Sequence, residues 1–125
     1  MDGENKKILI VEDDKDFLWL LRQNFMNEPF TVSYALDGEQ ALKIAEKEKP
    51  DLILLDILLP KLDGMEVAGK LKEKGNTAKI IFLTNLRDSE NISRAMETVE
   101  DLDYIVKSDS HIDEIISRIK TKLGI

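Results

Sequence analysis

The acidic residue Asp56 stands at the end of an otherwise apolar run, Leu52 to Leu55, in the stretch LILLDILLPKLDG. The run has the length and composition of a strand that is buried on both faces. Burying a lone ionised carboxylate is costly unless the group is paired, bound to a metal or protonated. The sequence therefore predicts that Asp56 has a charged partner or a chemical role.

Polar residues also follow three other predicted strands, at the point where each strand ends. With Asp56 they form the set Glu12, Asp13, Asp56, Thr84 and Lys107. In an open sheet of parallel strands, ligands bind outside the carboxyl ends of the strands. We therefore expect these side chains to converge on one region, although they come from distant parts of the chain.

This set of side chains is suited to binding a metal ion and a phosphoryl group. Carboxylates a few ångströms apart repel each other by roughly 4 kcal/mol per pair at an effective dielectric constant of about 20. A single lysine offsets only part of this repulsion, whereas a divalent cation removes it. Oxygen ligands without His or Cys suit Mg2+, Mn2+ or Ca2+, and Mg2+ characteristically combines one or two carboxylates with water and phosphate. With the cation and Lys107 present, Asp56 is a candidate nucleophile that forms an aspartyl phosphate.

Short aliphatic segments of strand length alternate with amphipathic segments of helical length. The predicted strands are KILIV, TVSYA, LILL, KIIFL and DYIV. Helices are predicted near Asp16 to Met26, Gly38 to Glu48, Gly64 to Lys74, Ser89 to Val99 and from about His111. Strict alternation predicts an α/β fold, a doubly wound (βα)5 domain whose parallel sheet has helices on both faces.

The helix boundaries and faces follow from local patterns. Asp37 and Asp63 are predicted to begin the second and third helices, and Ser110 with Asp113 resembles a capping box before the last. The first helix is predicted to bury one stripe and to expose the side that carries Trp19 and Met26. The predicted stripe is Phe17, Leu20, Leu21 and Phe25.

Composition excludes several classes of function. The chain has 125 residues, which fit one domain, and we expect residues 1–5 to be disordered and residues 6–125 to form that domain. The net charge of −7, with lysines interleaved among acids, disfavours direct binding of nucleic acid. No cysteine is present, which excludes disulfides and thiolate chemistry. No apolar run has the length to span a bilayer, so we expect a cytoplasmic protein without a membrane partner.

The motifs at the strand ends together resemble the receiver domain of two-component response regulators. Within that family, the chain resembles the chemotaxis regulators. ILIVEDD resembles that family's first strand with its acidic pair, DILLPKLDG its phosphoacceptor loop, FLTN its strand-four threonine and YIVK its strand-five lysine. The resemblance runs in order and spacing from about Lys6 to Leu123. It implies a flavodoxin-like sandwich with the strand order 2-1-3-4-5.

The resemblance also implies a role for each residue of the set. Asp56 would accept a phosphoryl group from the phosphohistidine of a sensor histidine kinase or phosphotransfer protein, or from a small acyl phosphate. Asp13, Asp56 and the backbone carbonyl of Leu58 would bind Mg2+ directly, and Glu12 would act mainly through a water. Lys107 would pair with a phosphoryl oxygen.

Further residues would transmit the change. The resemblance implies that the Thr84 hydroxyl swings in to bind a phosphoryl oxygen and that the ring of Tyr104 turns inward with it. The fourth helix, fifth strand and fifth helix would then shift, which would control a downstream protein or a dimer that forms on phosphorylation. Two interpretations of Trp19 stay open: an ordinary exposed ring, or a contact for the kinase on the first helix.

Several positions depart from the family's pattern. Ser108 replaces the usual proline after Lys107, so we expect a trans bond there, because a non-proline cis bond costs about 2.5 to 4 kcal/mol. Asn85 replaces a small residue, which predicts narrower access to the site. Glu100 replaces a glycine, which predicts an irregular end of the fourth helix.

The sequence is also compatible with a second function, an Mg2+-dependent phosphohydrolase with an aspartyl-phosphate intermediate. Such an enzyme would want a second carboxylate two residues after the nucleophile, where Leu58 stands. The resemblance implies that Leu58 and Leu86 stand where the family sets the lifetime of the phosphoryl group, and their apolar side chains predict a slow self-dephosphorylation. We therefore expect a signalling switch that catalyses only its own phosphoryl transfer and slow dephosphorylation. A flavodoxin-like nucleotide module is disfavoured because no phosphate loop follows the first strand. The sequence leaves open whether the receiver stands alone or belongs to a longer regulator.

Overall fold

The structure, a computed structural model, describes residues 5–84, 103–107 and 111–125. The strands of the sheet are β1 (Lys6–Val11), β2 (Phe30–Ala35), β3 (Leu52–Asp56), β4 (Lys79–Thr84) and β5 (Tyr104–Val106). The helices are α1 (Lys15–Phe25), α2 (Gly38–Glu48), α3 (Gly64–Glu73) and a C-terminal helix (Ile112–Leu123).

All strand pairs are parallel, and the order across the sheet is β2-β1-β3-β4-β5. This confirms the predicted α/β class and the predicted strand order. Strand order reverses at β1, which has β2 on one side and β3 on the other. Val11 pairs with Leu55 at this point, so the residues that follow β1 and end β3 lie beside each other at the carboxyl edge of the sheet.

The central strands are buried because helices cover both faces of the sheet, and successive residues alternate between two cores. One core, beneath α1 and the C-terminal helix, includes Ile8, Ile10, Leu54, Leu18, Leu21, Phe25, Ile115 and Ile119. The other, beneath α2 and α3, includes Leu9, Val11, Ile53, Leu55, Ala41, Ala45, Val67 and Leu71. These continuous apolar strands are what the sequence pattern of β1, β3 and β4 predicted.

The buried stripe of α1 differs from the predicted one. Leu18, Leu21 and Phe25 are buried, whereas Leu20 is 45% exposed, so the prediction for Leu20 was wrong. The buried residues follow the spacing i, i+3, i+7. At 3.6 residues per turn Leu20 lies about 130° from the centre of that stripe, on the side that faces solvent. Trp19 faces outward as predicted.

Aspartates begin the first three helices. Asp14, Asp37 and Asp63 each accept hydrogen bonds from backbone N–H groups of the first turn, which stabilises the helix N-terminus. The C-terminal helix differs: its N-cap residue is His111, which makes no side-chain capping bond. This agrees with the helix predicted from about His111, while Ser110 of the predicted capping box lies outside the described residues.

Several predictions fall on residues outside the described ranges. They concern the helix near Ser89 to Val99, the positions Asn85, Leu86 and Glu100, and the peptide bond between Lys107 and Ser108. The domain limits, with disorder over residues 1–5, likewise stay a prediction.

Candidate functional site

A lysine lies between two buried carboxylates at the carboxyl edge of the sheet. The Nζ atom of Lys107 is 2.7 Å from Oε2 of Glu12 and 2.7 Å from Oδ2 of Asp56. Glu12 follows β1, Asp56 ends β3 and Lys107 follows β5, so three separate segments of chain meet at one point. The charged partner predicted for Asp56 is therefore Lys107.

Glu12 is completely buried, and its two carboxylate oxygens have different surroundings. Oε1 accepts a hydrogen bond from the backbone N–H of Asp14 at 3.0 Å. Oε2 pairs with the Lys107 ammonium by charge but, within the described part of the chain, accepts no well-aligned hydrogen bond. A buried oxygen with an unused lone pair thus faces the site.

Asp56 is 5% exposed and is held by the loop that follows it. Its Oδ1 accepts a hydrogen bond from the backbone N–H of Leu58 at 3.2 Å, while Oδ2 faces Lys107. The loop is tied down in turn: the N–H of Ile57 donates to the carbonyl of Leu83, and the N–H of Gly64 donates to the carbonyl of Ile57. The carboxylate therefore has a fixed orientation before any ligand arrives.

The electrostatics of the site are dominated by burial. Burial, and then the nearby charge of Asp56, raises the pKa of Glu12 from 4.5 to about 7. Burial likewise raises the pKa of Asp56 despite the hydrogen bond from Lys107. Burial alone lowers the pKa of Lys107, but the two carboxylates outweigh it and raise that pKa, so the ammonium stays charged. One lysine thus leaves the two acids incompletely neutralised.

The donor set fits a hard divalent cation. Glu12, Asp13 and Asp56 each offer one carboxylate oxygen, and these three oxygens lie within 4.8 Å of one another. Every ligand is an oxygen, as Mg2+ prefers, and the unused lone pair on Glu12 Oε2 is available to the ion or its water. The carbonyl of Leu58 belongs to the same loop, two residues beyond Asp56.

The two predicted switch residues lie on neighbouring strands. Thr84 is buried at the end of β4 and pairs with Val106, next to Lys107. Tyr104 begins β5 opposite Phe82 and is 37% exposed. The structure therefore brings Glu12, Asp13, Asp56 and Lys107 together, sets Thr84 at the end of the adjacent strand, and leaves the Tyr104 side chain partly exposed to solvent.

Sequence reasoning missed one residue of the site. The Nζ atom of Lys107 lies 5.1 Å from the ring centroid of Phe17, which the sequence assigned only to the apolar stripe of α1. Its position in the sequence could have indicated the contact, because Phe17 stands in the first turn of the helix that follows the acidic pair. Residues there lie near the same edge of the sheet as the strand ends.

Comparisons with known proteins give the class of this site. The family profile described as response regulator receiver domain matches residues 8–120. The chain is 42% identical over 119 residues to the alkaline phosphatase synthesis transcriptional regulatory protein PhoP of Bacillus subtilis, covering 95% of this chain and 49% of that protein. It is 35% identical over 119 residues to sporulation initiation phosphotransferase F of the same species, covering 95% and 94% respectively.

Solved structures agree. A receiver domain of a Francisella response regulator superposes with a TM-score of 0.84 at 29% identity, covering 96% of this chain and 98% of that one. The receiver domain of a sensor histidine kinase from Pseudomonas aeruginosa was solved with a magnesium ion in its active site cleft. It superposes with a TM-score of 0.85 at 25% identity, covering 97% of this chain and 99% of that one.

The fold and the site define a receiver of the two-component type. This chain belongs to the response regulator receiver domain family, whose members act as signalling switches. It spans about half the length of several relatives that it matches, PhoP among them. No helix in the described ranges is long and apolar enough to cross a bilayer.

The raised pKa of Glu12 predicts an unusual dependence of stability on pH. Without metal, the free energy of unfolding should fall as the pH rises from 4.5 to about 7. In this window the folded protein holds a proton on Glu12 that the unfolded chain releases, so raising the pH favours unfolding. The loss is at most roughly 3 kcal/mol. Urea unfolding in EDTA near both ends of the window measures it.

The Glu12→Gln variant is the control, since it removes the titrating group and keeps the shape. The fall in stability attributed to Glu12 should be absent from this variant and should be reduced in the unchanged protein by saturating Mg2+, which favours the ionised carboxylates. An identical pH profile for both proteins would show that Glu12 titrates normally.

Proposed function

We propose that this chain is a phosphoacceptor receiver in which Asp56 takes a phosphoryl group in an Mg2+-dependent step. The observation that carries the proposal is the position of the Lys107 ammonium, 2.7 Å from both Asp56 and Glu12, beside three carboxylate oxygens within 4.8 Å of one another. Such a site offers a nucleophile, a metal-binding donor set and a fixed cation in one place. Membership of the receiver family supports the same role.

The nucleophile is a carboxylate oxygen of Asp56. It attacks the phosphorus of the donor, a new O–P bond forms, and the bond from phosphorus to the donor's nitrogen or oxygen breaks, with the electron pair leaving on the donor. The backbone N–H of Leu58 holds Oδ1 in place during this step. Oδ2 points at Lys107, so the ammonium lies close to oxygens of a phosphoryl group attached there.

Asp13, Asp56 and the Leu58 carbonyl would hold Mg2+, with Glu12 acting through a water. The ion, when bound, neutralises charge on the acids and on the incoming phosphoryl oxygens. Lys107 exchanges its pairing with Asp56 for a phosphoryl oxygen, and the Thr84 hydroxyl donates to another. These exchanges couple phosphorylation to the ends of β4 and β5.

The readout would be a shift of β5, the C-terminal helix and the segment near Ser89 to Val99, which lies outside the described residues. Polar contacts join the start of β5 to the helix. Arg118 pairs with Asp103, the residue before the strand, and donates to the carbonyl of Tyr104 at 3.4 Å. Lys122 pairs with Asp103 at 3.3 Å. A rotation of Tyr104 therefore acts on an element that is already linked to the helix. We infer that a downstream protein, or a second phosphorylated copy, recognises this face in the cytoplasm.

The phosphodonor would be the phosphohistidine of a sensor kinase or phosphotransfer protein, which docks on α1. Trp19 is 59% exposed and Leu20 is 45% exposed on the helix that begins beside the site. Exposed apolar side chains on a helix that begins beside the site suit a transient protein contact better than a nucleic acid.

Replacing Trp19 by alanine should slow phosphorylation by the histidine donor by about tenfold, since a buried interface tryptophan commonly contributes more than 1 kcal/mol. Phosphorylation by acetyl phosphate should be unchanged because the small donor needs no docking surface. Quenched time courses of phosphorylation with each of the two donors measure these rates. Met26→Ala, at the far end of the helix and 74% exposed, is the matched control. Equal rates for the Trp19 variant and unchanged protein with the histidine donor would overturn this assignment.

One assay separates the switch from a phosphohydrolase. With acetyl phosphate and Mg2+, a receiver takes up no more than one phosphoryl group per chain and loses it slowly. Release of many phosphate ions per chain within seconds would instead support the phosphohydrolase. Leu58 favours the first outcome, because its 47% exposed side chain stands where a hydrolase would want a second carboxylate.

A further inference from the structure

The Lys107 ammonium has a neighbour besides the two carboxylates. Its Nζ atom lies 5.1 Å from the centroid of the Phe17 ring, within the range of a cation–π contact. The lysine side chain is only 18% exposed, and such contacts are stronger when water is excluded. An aromatic ring thus forms one side of the cation's pocket.

The ring is held by the start of α1. Phe17 stands in the first turn, where its backbone N–H donates to Oδ1 of Asp14 at 3.3 Å. The backbone N–H of Asp14 donates in turn to Glu12, so the helix start and the acidic site share one network. The Phe17 side chain is partly buried against the core beneath α1 and the C-terminal helix. The position of the ring is therefore fixed by the backbone hydrogen bond to Asp14 and by packing against the core.

We propose that Phe17 is a positioning residue whose ring holds the Lys107 ammonium in place while the carboxylates change partners. This role rests on the proposed function, in which Glu12 and Asp56 turn to a metal ion and Asp56 becomes esterified. Each of those changes weakens an ion pair of Lys107. The ring carries no net charge and binds no Mg2+, so its attraction for the ammonium persists through the reaction.

Two measurements test this role with the Phe17→Leu and Phe17→Tyr variants. Protons on the Lys107 ε-carbon should show an upfield ring-current shift by nuclear magnetic resonance, retained with tyrosine and lost with leucine. The maximal rate of phosphorylation by acetyl phosphate at saturating Mg2+ should fall about tenfold with leucine and recover with tyrosine. The donor concentration at half-maximal rate should change little, since the ring touches no donor atom.

Phe25→Leu is the matched control on the same helix. Phe25 is buried, and its ring centroid lies 5.9 Å from that of Phe30. This variant therefore loses core packing without changing the contact to Lys107. It should lose stability and keep its phosphorylation rate.

Three outcomes would overturn the role. The absence of a ring-current shift in the unchanged protein would show that the ring does not contact the lysine, even if the leucine variant fails to fold. Equal maximal rates for the leucine and unchanged proteins would show that the contact does not position the ammonium. An unchanged protein that takes up no phosphoryl group at all would overturn the proposed function itself, and the role with it.

Discussion

Replacing Lys107 by methionine is expected to lower the free energy of unfolding of the metal-free protein by about 3 to 5 kcal/mol at neutral pH. The methylene chain is kept, but Glu12 and Asp56 lose the cation that lies 2.7 Å from each of them. Two buried carboxylates then face each other without compensation. Urea unfolding of the two proteins in EDTA measures the difference.

The deficit should shrink as the pH is lowered, because the penalty disappears when Glu12 and Asp56 are protonated. Lys61→Met is the matched control: Lys61 also lies near two acids, at 3.7 Å from Asp37 and 3.5 Å from Glu39, but its side chain is 56% exposed. Exposed pairs contribute about 0 to 1 kcal/mol. A Lys107 variant no less stable than the Lys61 variant would mean that Lys107 does not neutralise the site.

Gly64→Ala is expected to destabilise the protein by about 3 kcal/mol and to displace Asp56. A Cβ atom at Gly64 would lie 2.2 Å from the carbonyl oxygen of Asp56 and 2.9 Å from the Cα of Ile57. Both are backbone atoms of the loop that orients the carboxylate, so the clash cannot be relieved by a side-chain rotation. The melting temperature and the rate of phosphorylation by acetyl phosphate should both fall.

Gly69→Ala is the control within the same helix. A Cβ atom there meets no atom of the described residues outside its own helix turn within 4 Å, so alanine should raise stability by about 0.5 to 1 kcal/mol through its better helix propensity. Its phosphorylation rate should be unchanged. If the two alanine variants behaved alike, close packing of α3 on the Asp56 loop would not be what requires glycine at position 64.

The architecture was readable from the sequence because its signals are local and repeated. Apolar strands buried on both faces show as runs such as LILL, and aspartates before Gly38 and Gly64 mark the helix starts. The candidate site was readable for a topological reason: parallel strands bring their carboxyl ends to one edge, so Glu12, Asp56 and Lys107 had to approach one another. The resemblance then supplied the residue roles.

Other features depend on tertiary packing and left no clear local signal. Leu18 and Leu20 are the same residue type, and only the face that α1 turns toward the sheet decides which of them is buried. The ring of Phe17 meets Lys107 across 90 residues of chain, which no helical pattern predicts. The raised pKa of Glu12 depends on complete burial next to a second acid, a property of the assembled site.

The most direct test of the central claim is to locate the phosphoryl group. The unchanged protein and the Asp56→Asn variant are incubated with acetyl phosphate, with Mg2+ or with EDTA, and analysed by intact mass and by peptide fragmentation. We predict one added phosphoryl group, on Asp56, in the unchanged protein with Mg2+ only, and none in the variant. Equal phosphorylation of the Asp56→Asn variant, or a phosphoryl group found on another residue of the unchanged protein, would contradict the account.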